Sequence, residues 1–414
     1  MQTRKQVVVL GAGYAGLMAA VRLWKKAGKR AAITLVNGAD EFHERTRHHQ
    51  LATGQALRPQ PLAAFVRGTG IRLERGWVTG LDLAARRVSV DTDGGAKVLD
   101  YDYLINALGS VVAVGDVPGA REHAFSPDRA SALRLAERLP ALRARGRRVL
   151  IVGGGNTGVE VATELAESHP GLNITLATRR SFARNLSRGA QAHIRRAFER
   201  LKIDLQEHTE ITRVKADRAF TATGGALPFD TCVWVGGFGV SDLARRAGLA
   251  VNAAGQILID PAMRSVSHPE VYAVGDAAHP VEPPGAPLRM GLYSSIMMGG
   301  HGADCLADAL RGRPSRPFGL SYLALGVSLG RRDGAWQFLN WDRDTPLNLI
   351  VTGYAANLMR EFFVRFAVWV IHAQRAAPWV FEWPGRRKRW GAAFTTKDEP
   401  PGGGRRRGTE QAGA

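Results

Sequence analysis

The sequence predicts an α/β protein in which two similar parallel-sheet units are combined, the second inserted into the first, and a helical region follows them. Three observations support this fold class. An aliphatic run leads into a G-x-G-x-x-G pattern twice, at Gly11 and again at Gly153. A further aliphatic strand near Val271 follows the second pattern, so the first unit is expected to be discontinuous in sequence. An amphipathic segment from Leu358 then predicts a C-terminal helix.

Each glycine pattern has the arrangement expected of a dinucleotide-binding turn. The first glycine allows a sharp turn after the strand, the second lets the backbone approach a pyrophosphate, and the third lets the next helix pack closely. The glycines are Gly11, Gly13 and Gly16 in the first copy and Gly153, Gly155 and Gly158 in the second. A purely structural turn is the alternative for either copy, but two copies in the same context favour two Rossmann-like dinucleotide-binding domains.

The first unit continues through a helix over residues 15–27, a C-cap at Gly28 and a strand over residues 31–36. Asn37 stands at the end of that strand, where an acidic residue usually binds the ribose hydroxyls. Asn37 can make the same contact with uncharged hydrogen bonds. Asp40 and Glu41 follow closely and are the alternative ligands.

The equivalent strand of the second unit, residues 173–177, ends in Thr178-Arg179-Arg180 and has no acidic residue. Arginine at this position accommodates the 2′-phosphate of NADP, whereas a carboxylate favours the free ribose of NAD. Arg179 and Arg180 therefore favour NADPH, although arginines at strand ends are also common on a basic surface.

The segments between the glycine patterns are shorter. Residues 42–58 are rich in His and Arg, including Arg45, and are expected to form a cofactor-facing or solvated loop rather than a metal site. Alternating segments at residues 71–73, 87–90 and 97–101 predict a small antiparallel sheet. Residues 110–146 are expected to form a linker and a basic helix.

Composition limits the classes of function. The chain has 414 residues, enough for two or three domains, and a net charge of +19. No nucleic-acid-binding module concentrates this charge, so nucleic acid is not an expected partner. Only Cys232 and Cys305 are present, and the first strand begins too early for a signal peptide to precede it. A reducing, cytoplasmic location is therefore expected.

Five elements together resemble the two-dinucleotide-binding-domain flavoproteins, and within them the type II NADH dehydrogenase-like branch. They are Gly11-Ala-Gly13-Tyr-Ala15-Gly16, Ala-Leu-Gly109-Ser, Gly153-Gly-Gly155-Asn156-Thr-Gly158-Val-Glu160, Val-Gly236-Gly-Phe-Gly239, and Val-Tyr-Ala-Val-Gly275-Asp276-Ala-Ala. The resemblance implies that the first unit binds FAD, that Asp276 contacts its ribityl chain, and that the second unit binds the nicotinamide cofactor. It also implies hydride transfer from NAD(P)H to the flavin. The implied domains are 1–115 and 255–330 for FAD, 146–245 for NAD(P), a C-terminal region at 331–396 and a disordered tail at 397–414.

The resemblance also assigns site residues. Cofactor-binding residues are expected at Gly11, Gly13, Ala15, Gly16, Asn37, Arg45, Gly109, Asp276, Gly153, Gly155, Asn156, Gly158, Arg179, Arg180 and Gly239. Glu160 and Met297 are the expected catalytic residues. Glu160 and Glu164 share one helix face and could order the nicotinamide or relay a proton, or merely cap the helix and face solvent.

Two departures from the family pattern bear on the electron acceptor. The chain lacks a C-x-x-C or C-x-x-x-x-C pair, so the reduced flavin would pass electrons directly to an acceptor. Tyr293 and Met297 stand where type II dehydrogenases tend to carry glutamines near the quinone. Met297 could face the flavin or be an ordinary core residue.

The segment from Leu358 to Arg375 is too short and too charged to span a bilayer. On a helical wheel, one arc is polar and the opposite arc is aromatic and aliphatic. The polar arc comprises Asn357, Arg360, Glu361, Arg365, His372 and Arg375, and the apolar arc comprises Phe362, Phe363, Phe366, Trp369 and Val370. With the basic and tryptophan-rich stretch that follows, this pattern indicates peripheral membrane binding and resembles the attachment region of type II dehydrogenases. The alternative is that the apolar face packs on the body of the protein or on a second subunit in a homodimer.

The sequence therefore predicts an FAD-dependent NAD(P)H dehydrogenase. Its acceptor would be a quinone or another small molecule, and it would work at the inner face of the cell membrane. A soluble reductase for a ferredoxin-like partner or a secondary metabolite is the first alternative. The second is a non-catalytic flavin protein that senses redox state.

Overall fold

The structure is a computed structural model, and it describes residues 4–114, 117–143, 147–281, 288–340 and 344–381. The end of the predicted C-terminal region, from residue 382, and the predicted disordered tail at 397–414 lie outside the described residues.

A five-stranded parallel sheet forms the centre of the first unit. In spatial order its strands are Val271–Ala273, Tyr103–Asn106, Lys5–Leu10, Ala31–Asn37 and Arg72–Arg75. The residues from Val7 to Leu10 are buried because helices cover both faces of such a sheet. The strand at Val271 joins this sheet after the whole second unit has intervened, which confirms the discontinuous first unit.

Two long helices of the first unit, Tyr14–Ala27 and Leu292–Ala309, pack on each other. Their closest approach is at Gly299, where an added Cβ would lie 2.4 Å from the Ala15 carbonyl oxygen. Gly28 ends the first helix with a left-handed φ of 56°, as the sequence predicted.

A second five-stranded parallel sheet has the same construction. In spatial order its strands are Asp204–Gln206, Asn173–Ala177, Arg148–Val152, Thr231–Trp234 and Ala124–Phe125. Its helices include Arg129–Arg143, Asn156–Ser168 and Arg188–Arg200. The predicted linker before residue 146 thus contributes an edge strand to this sheet, and the basic helix predicted there is observed.

Smaller sheets lie alongside the two parallel sheets. Three antiparallel sheets are formed by Trp77–Asp82, Arg87–Thr92 and Gly95–Asp100; by Ile211–Val214, Arg218–Thr221 and Ala226–Pro228; and by Ala324–Ser328, Gly334–Leu339 and Pro346–Thr352. Two-stranded ladders join Val111–Val112 to Phe238–Gly239 and Ile257–Ile259 to Ala278–Pro280. The assignment of residues 71–73 to an antiparallel sheet was wrong, because Arg72–Arg75 pairs in parallel with Ala31–Asn37.

The remaining helices are short and lie in connections. They are His48–Leu51, Leu62–Val66, Ala120–His123 and Leu243–Arg246, with 3-10 turns at Gly28–Arg30, Arg45–Arg47, Gly275–Ala277 and Pro378–Phe381. The Gly275-Asp276 sequence forms one 3-10 turn, and the long helix begins later, at Leu292.

The C-terminal helix, Gly353–Ala373, packs on the third antiparallel sheet and on the first unit. Its buried residues are Ala356, Asn357, Arg360, Val364, Ala367, Val370 and Ile371, whereas Phe362, Phe363 and Trp369 are exposed. The predicted apolar arc is therefore divided: Val370 is buried and Phe366 packs partly against the core, but Phe362 and Trp369 face outward.

Candidate active site

The two glycine turns have matching geometry. Gly11 and Gly153 adopt left-handed φ values of 90° and 127°, so each must be glycine. An added Cβ at Gly158 would lie 1.8 Å from the Gly153 carbonyl oxygen. At Gly13 and Gly155, by contrast, an added Cβ would meet nothing within 4 Å. These are the positions where the turn is open to an approaching pyrophosphate.

A polar group lies at the carboxyl end of the first sheet. Asp276 accepts hydrogen bonds from the Ser110 hydroxyl at 2.7 Å and from the Gly291 N–H at 2.9 Å. Arg45 donates to the Ser110 carbonyl at 2.5 Å, and its guanidinium lies beside Gly109. Three predicted FAD-binding residues, Arg45, Gly109 and Asp276, are therefore brought together from distant parts of the chain.

The Asn37 amide group stabilises the glycine turn itself. Its carbonyl oxygen accepts from the Ala12 N–H at 3.0 Å, and its NH₂ group donates to the Ala39 carbonyl at 2.8 Å. Asp40, the alternative ribose ligand, forms an exposed ion pair with Arg75 at 2.9 Å. Ala15, also predicted to bind cofactor, is buried against Gly275 and Gly299.

The nicotinamide side has groups suited to a bound nucleotide. The Asn156 side-chain oxygen, in the first turn after Gly155, is buried and has no hydrogen-bond partner among the described residues. Arg179 and Arg180 are exposed at the end of the strand Asn173–Ala177. Arg179 forms an exposed 3.5 Å ion pair with Glu210, a weak surface contact that leaves its guanidinium accessible to a phosphate.

Gly239 lies where the two units are joined. Residues Phe238 and Gly239 pair with Val112 and Val111 in a two-stranded antiparallel ladder. The Arg45 guanidinium is 5.9 Å from the centre of the Phe238 ring. The ladder therefore brings the second unit next to the polar group around Asp276.

Glu160 is buried and ion-paired with a residue of the C-terminal helix. The Arg360 Nε donates to Glu160 Oε1 at 2.8 Å, and the Ser328 N–H donates to the same oxygen at 3.1 Å. Another nitrogen of Arg360 donates to the Thr46 carbonyl at 2.9 Å. One arginine thus links the second unit, the loop after Asn37 and the C-terminal helix.

Glu164, one turn further along the same helix, is fully buried. It pairs with Arg331 at 3.0 Å and accepts a 2.5 Å hydrogen bond from Gln55. Burial raises the pKa of Glu164, although Arg331 and Gln55 oppose this rise. The possibility that Glu160 and Glu164 merely cap the helix and face solvent is therefore wrong.

His49 lies 3.9 Å from Glu164, but the contact is not an ion pair. Burial and three nearby arginines, including Arg360 and Arg331, lower the pKa of His49 well below its ordinary value, so the imidazole is neutral at physiological pH.

The pKa of Glu361 is lowered, in contrast to the raised pKa of Glu164. Burial alone would raise its pKa, but Arg47 and Arg360 outweigh burial and hold the pKa below its ordinary value. The Arg47–Glu361 distance is 2.7 Å. We call Arg47, Glu160, Glu164, Arg331, Arg360 and Glu361 the buried charge cluster. It contains three arginines and three glutamates, and Glu44 pairs with Arg47 at its edge at 3.0 Å.

Two further positions bear on the acceptor. Met297 is buried in the hydrophobic core of the first unit. The Tyr293 hydroxyl donates to the Ser321 carbonyl at 3.0 Å, and burial raises its pKa.

The sequence did not reveal the partners of Glu160. Arg360 was placed on the polar arc of the helical wheel without a partner, and Ser328 and Arg331 belong to no motif. They approach Glu160 and Glu164 only because the C-terminal sheet folds back on the second unit.

Comparison with known proteins places this geometry in a family. Residues 5–299 match the model of the family described as pyridine nucleotide-disulphide oxidoreductase. The chain is 26% identical over 391 residues to the demethylphylloquinone reductase NdbB of Synechocystis, covering 88% of this chain and 93% of that protein. It is 26% identical over 365 residues to a type II NADH:quinone oxidoreductase of Staphylococcus epidermidis, covering 80% and 89%.

Solved structures agree on the fold. NDH2 from Plasmodium falciparum, in complex with NADH, superposes with a TM-score of 0.77 at 14% identity, covering 93% of this chain and 99% of that one. The sulfide:quinone oxidoreductase of Aquifex aeolicus gives a TM-score of 0.74 at 20% identity, covering 91% and 93%. Within the part of this chain that the structure describes, no helix is long and apolar enough to cross a membrane. With both glycine turns, the nested second unit and most of its length matched, the chain belongs to the pyridine nucleotide-disulphide oxidoreductase family and is an FAD-dependent NAD(P)H oxidoreductase.

Proposed function

We propose that the protein transfers reducing equivalents from NAD(P)H, through FAD, to a quinone at the inner face of a membrane. One observation carries the proposal. The C-terminal helix exposes aromatic side chains on one face, while Arg360 on its other face is ion-paired with Glu160 beside the nicotinamide unit. A membrane surface would thus lie one helix away from the site of hydride transfer.

The exposed face forms a continuous aromatic surface, which we call the aromatic face. Phe366 stacks with Phe362 at 5.8 Å and with Trp369 at 5.5 Å, measured between ring centres. Arg365 lines a shallow groove with these three side chains. Exposed apolar patches of this kind mark interaction sites, and aromatic rings beside a cation suit the interface of a membrane with anionic lipids. The membrane also holds quinones.

The residues of the chain would perform separate tasks. The turns at Gly13 and Gly155 would admit the two pyrophosphates, and Asp276 would receive a hydroxyl of the flavin side chain in place of Ser110 or Gly291. Bound FAD would supply the group that accepts hydride and then passes electrons onward. Glu160, fixed by Arg360 and Ser328, would orient the nicotinamide.

The acceptor has a second candidate class. Tyr293 occupies the position expected for a glutamine, and its hydroxyl is bound to the Ser321 carbonyl. Met297, at the other expected glutamine position, is in the core. These two substitutions favour an acceptor other than a quinone, such as a ferredoxin-like protein or a secondary metabolite. The quinone proposal is preferred because the aromatic face is exposed and because the relatives described above include quinone reductases.

Anaerobic stopped-flow mixing tests the catalytic part of the proposal. Purified holoprotein should lose its flavin absorbance near ~450 nm on mixing with NADPH or NADH. Reoxidation by a soluble quinone analogue, compared with a ferredoxin, would then identify the acceptor class. If neither nicotinamide reduces the flavin, the protein is a non-catalytic flavin sensor and the proposal is wrong.

Co-sedimentation with vesicles tests the membrane part. The double variant Phe362→Glu with Phe366→Glu should lose binding to vesicles of phosphatidylcholine and phosphatidylglycerol, because two charges then enter the aromatic face. Its FAD content should not change. Val98→Glu, which introduces a charge at an exposed residue of the strand Gly95–Asp100, is the control and should bind normally. Retained binding by the double variant would contradict the membrane proposal.

A further inference from the structure

Trp77 is unusually exposed for a tryptophan. Its exposed fraction of 73% is the greatest among the large apolar side chains that the structure describes. It begins the antiparallel sheet that follows the parallel strand Arg72–Arg75. Tryptophan is usually buried over most of its surface, so Trp77 is a candidate for contact with a ligand or a partner.

The indole ring is held in a defined place by Gly38. A Cβ added to Gly38 would lie 2.7 Å from Cε2 and 2.9 Å from Cζ2 of Trp77, so the ring rests directly on the glycine backbone. The Gly76 N–H donates to the Asn37 carbonyl at 3.0 Å, which ties the start of this sheet to the end of the strand before Gly38. One part of the ring is therefore packed, and the remainder faces outward.

This place adjoins the first glycine turn. The Asn37 side chain accepts from the Ala12 N–H at 3.0 Å, so Gly38 and Trp77 lie next to the turn that would receive the FAD pyrophosphate. They are at the carboxyl edge of the parallel sheet, where open α/β sheets bind dinucleotides. Trp77 lies beside the end of the strand Ala31–Asn37, which is the neighbour of the strand that leads into the turn at Gly11.

The side chain that ends the strand is already engaged, because both ends of the Asn37 amide are hydrogen-bonded within the chain. Asp40, further along the loop, forms an exposed ion pair with Arg75. No carboxylate closes the strand Ala31–Asn37 itself. An aromatic surface needs no hydrogen-bonding group to hold a purine, because any base can stack on it.

We propose that the adenine ring of FAD stacks on the exposed part of the Trp77 indole, and that this contact lets the site distinguish FAD from FMN. The inference rests on the proposed binding of FAD at the first glycine turn. It assigns the adenosine end of the cofactor to an aromatic contact instead of the ribose–carboxylate contact that is usual there.

Rebinding of flavins to FAD-depleted protein tests the inference. Trp77→Ala should weaken FAD binding about tenfold or more, the effect of losing one base–aromatic stack, and should leave FMN binding unchanged because FMN has no adenine. Trp77→Phe should keep FAD affinity within about threefold of the native protein, since a smaller ring still stacks. Val98→Ala, at another exposed position of the same sheet, should change neither affinity.

A second variant acts on the same contact without removing the ring. Gly38→Ala places a methyl group where the indole now lies and should displace it, so FAD affinity should fall while FMN affinity is kept. Gly38 does not have a left-handed φ, so backbone strain does not complicate the result.

The outcomes distinguish failure of FAD binding itself from failure of the adenine–Trp77 contact. If the native protein does not rebind FAD at all, the proposed function fails. If FAD is bound but Trp77→Ala leaves its affinity unchanged, or weakens FAD and FMN equally, the adenine contact is wrong. A change in sedimentation mass of Trp77→Ala with unchanged FAD affinity would also overturn it, and would assign the exposed indole to a subunit contact.

Discussion

Replacing Arg360 with methionine should destabilise the protein strongly. The Arg360 side chain is 7% exposed and the Glu160 side chain is 11% exposed. Methionine fills a similar volume but donates no hydrogen bond. Glu160 would then keep only its contacts with Ser328, and the Thr46 carbonyl would lose its donor at 2.9 Å.

The size of the expected loss in folding free energy follows from the burial of both Arg360 and Glu160. Breaking a buried ion pair by removing one side costs about 3–5 kcal/mol, because the remaining charge stays out of water. That loss is a large part of the roughly 5–15 kcal/mol that stabilises a typical folded protein. Arg332, the neighbour of the clustered Arg331, is 92% exposed, so Arg332→Met should cost no more than about 0.5 kcal/mol.

Urea unfolding followed by circular dichroism would measure both losses. Glu160→Gln and the double variant with Arg360→Met complete a thermodynamic cycle, in which we expect a coupling energy of about 1–3 kcal/mol. The double variant should be more stable than the two separate losses would suggest, since no uncompensated charge remains. Equal effects of Arg360→Met and Arg332→Met, or a cycle that is additive, would refute the assigned role of the ion pair.

Three further predictions concern the nicotinamide unit and pH. Arg179→Glu should reverse a preference for NADPH over NADH in flavin-reduction kinetics, since a carboxylate repels the 2′-phosphate, and unchanged specificity would count against the phosphate contact. Gly158→Ala should unfold the second unit at lower urea, because its Cβ would lie 1.8 Å from the Gly153 oxygen. Gly155→Ala, in open space, should keep that stability but weaken NAD(P)H binding. Stability should also fall between pH 6.5 and about 4, because burial lowers the pKa of His48 to about 4 and holds the pKa of His49 well below 6.5. Both are neutral when folded, so below pH 6.5 the unfolded chain binds the extra protons, at up to about 1.4 kcal/mol per histidine per pH unit, and a flat urea midpoint over this range would contradict the assignment.

Local patterns predicted the two parallel units well. The aliphatic runs before Gly11 and Gly153 identify strands, and the glycine spacing identifies the turns, because both signals lie within about ten residues. The segment at residues 71–73 was assigned wrongly for a related reason. Alternation shows that a segment is a strand, but it does not show which sheet the strand joins. Arg72–Arg75 joins the parallel sheet because it runs beside Ala31–Asn37.

The buried charge cluster could not be predicted from local patterns. Arg47, Glu164, Arg331 and Glu361 come from four segments, and each looks like an ordinary surface residue in its own stretch. Burial of a charged side chain becomes acceptable only when a partner arrives from elsewhere in the fold. The tertiary fold supplies those partners, so a helical wheel drawn for one segment cannot show them.

The C-terminal helix shows why an amphipathic pattern does not decide which face is buried. Hydrophobicity alone would place the aromatic arc of Phe362 and Trp369 against the body and Arg360 in water. The structure buries Arg360 beside Val364, Ala367, Val370 and Ile371, because Glu160 lies beneath the helix and offers Arg360 a charged partner. Phe362 and Trp369, on the aromatic face, are left facing outward by this arrangement. If that face enters a membrane, the charge pair and the docking surface are two sides of one helix, so loss of the Arg360–Glu160 contact should disturb membrane binding as well as stability.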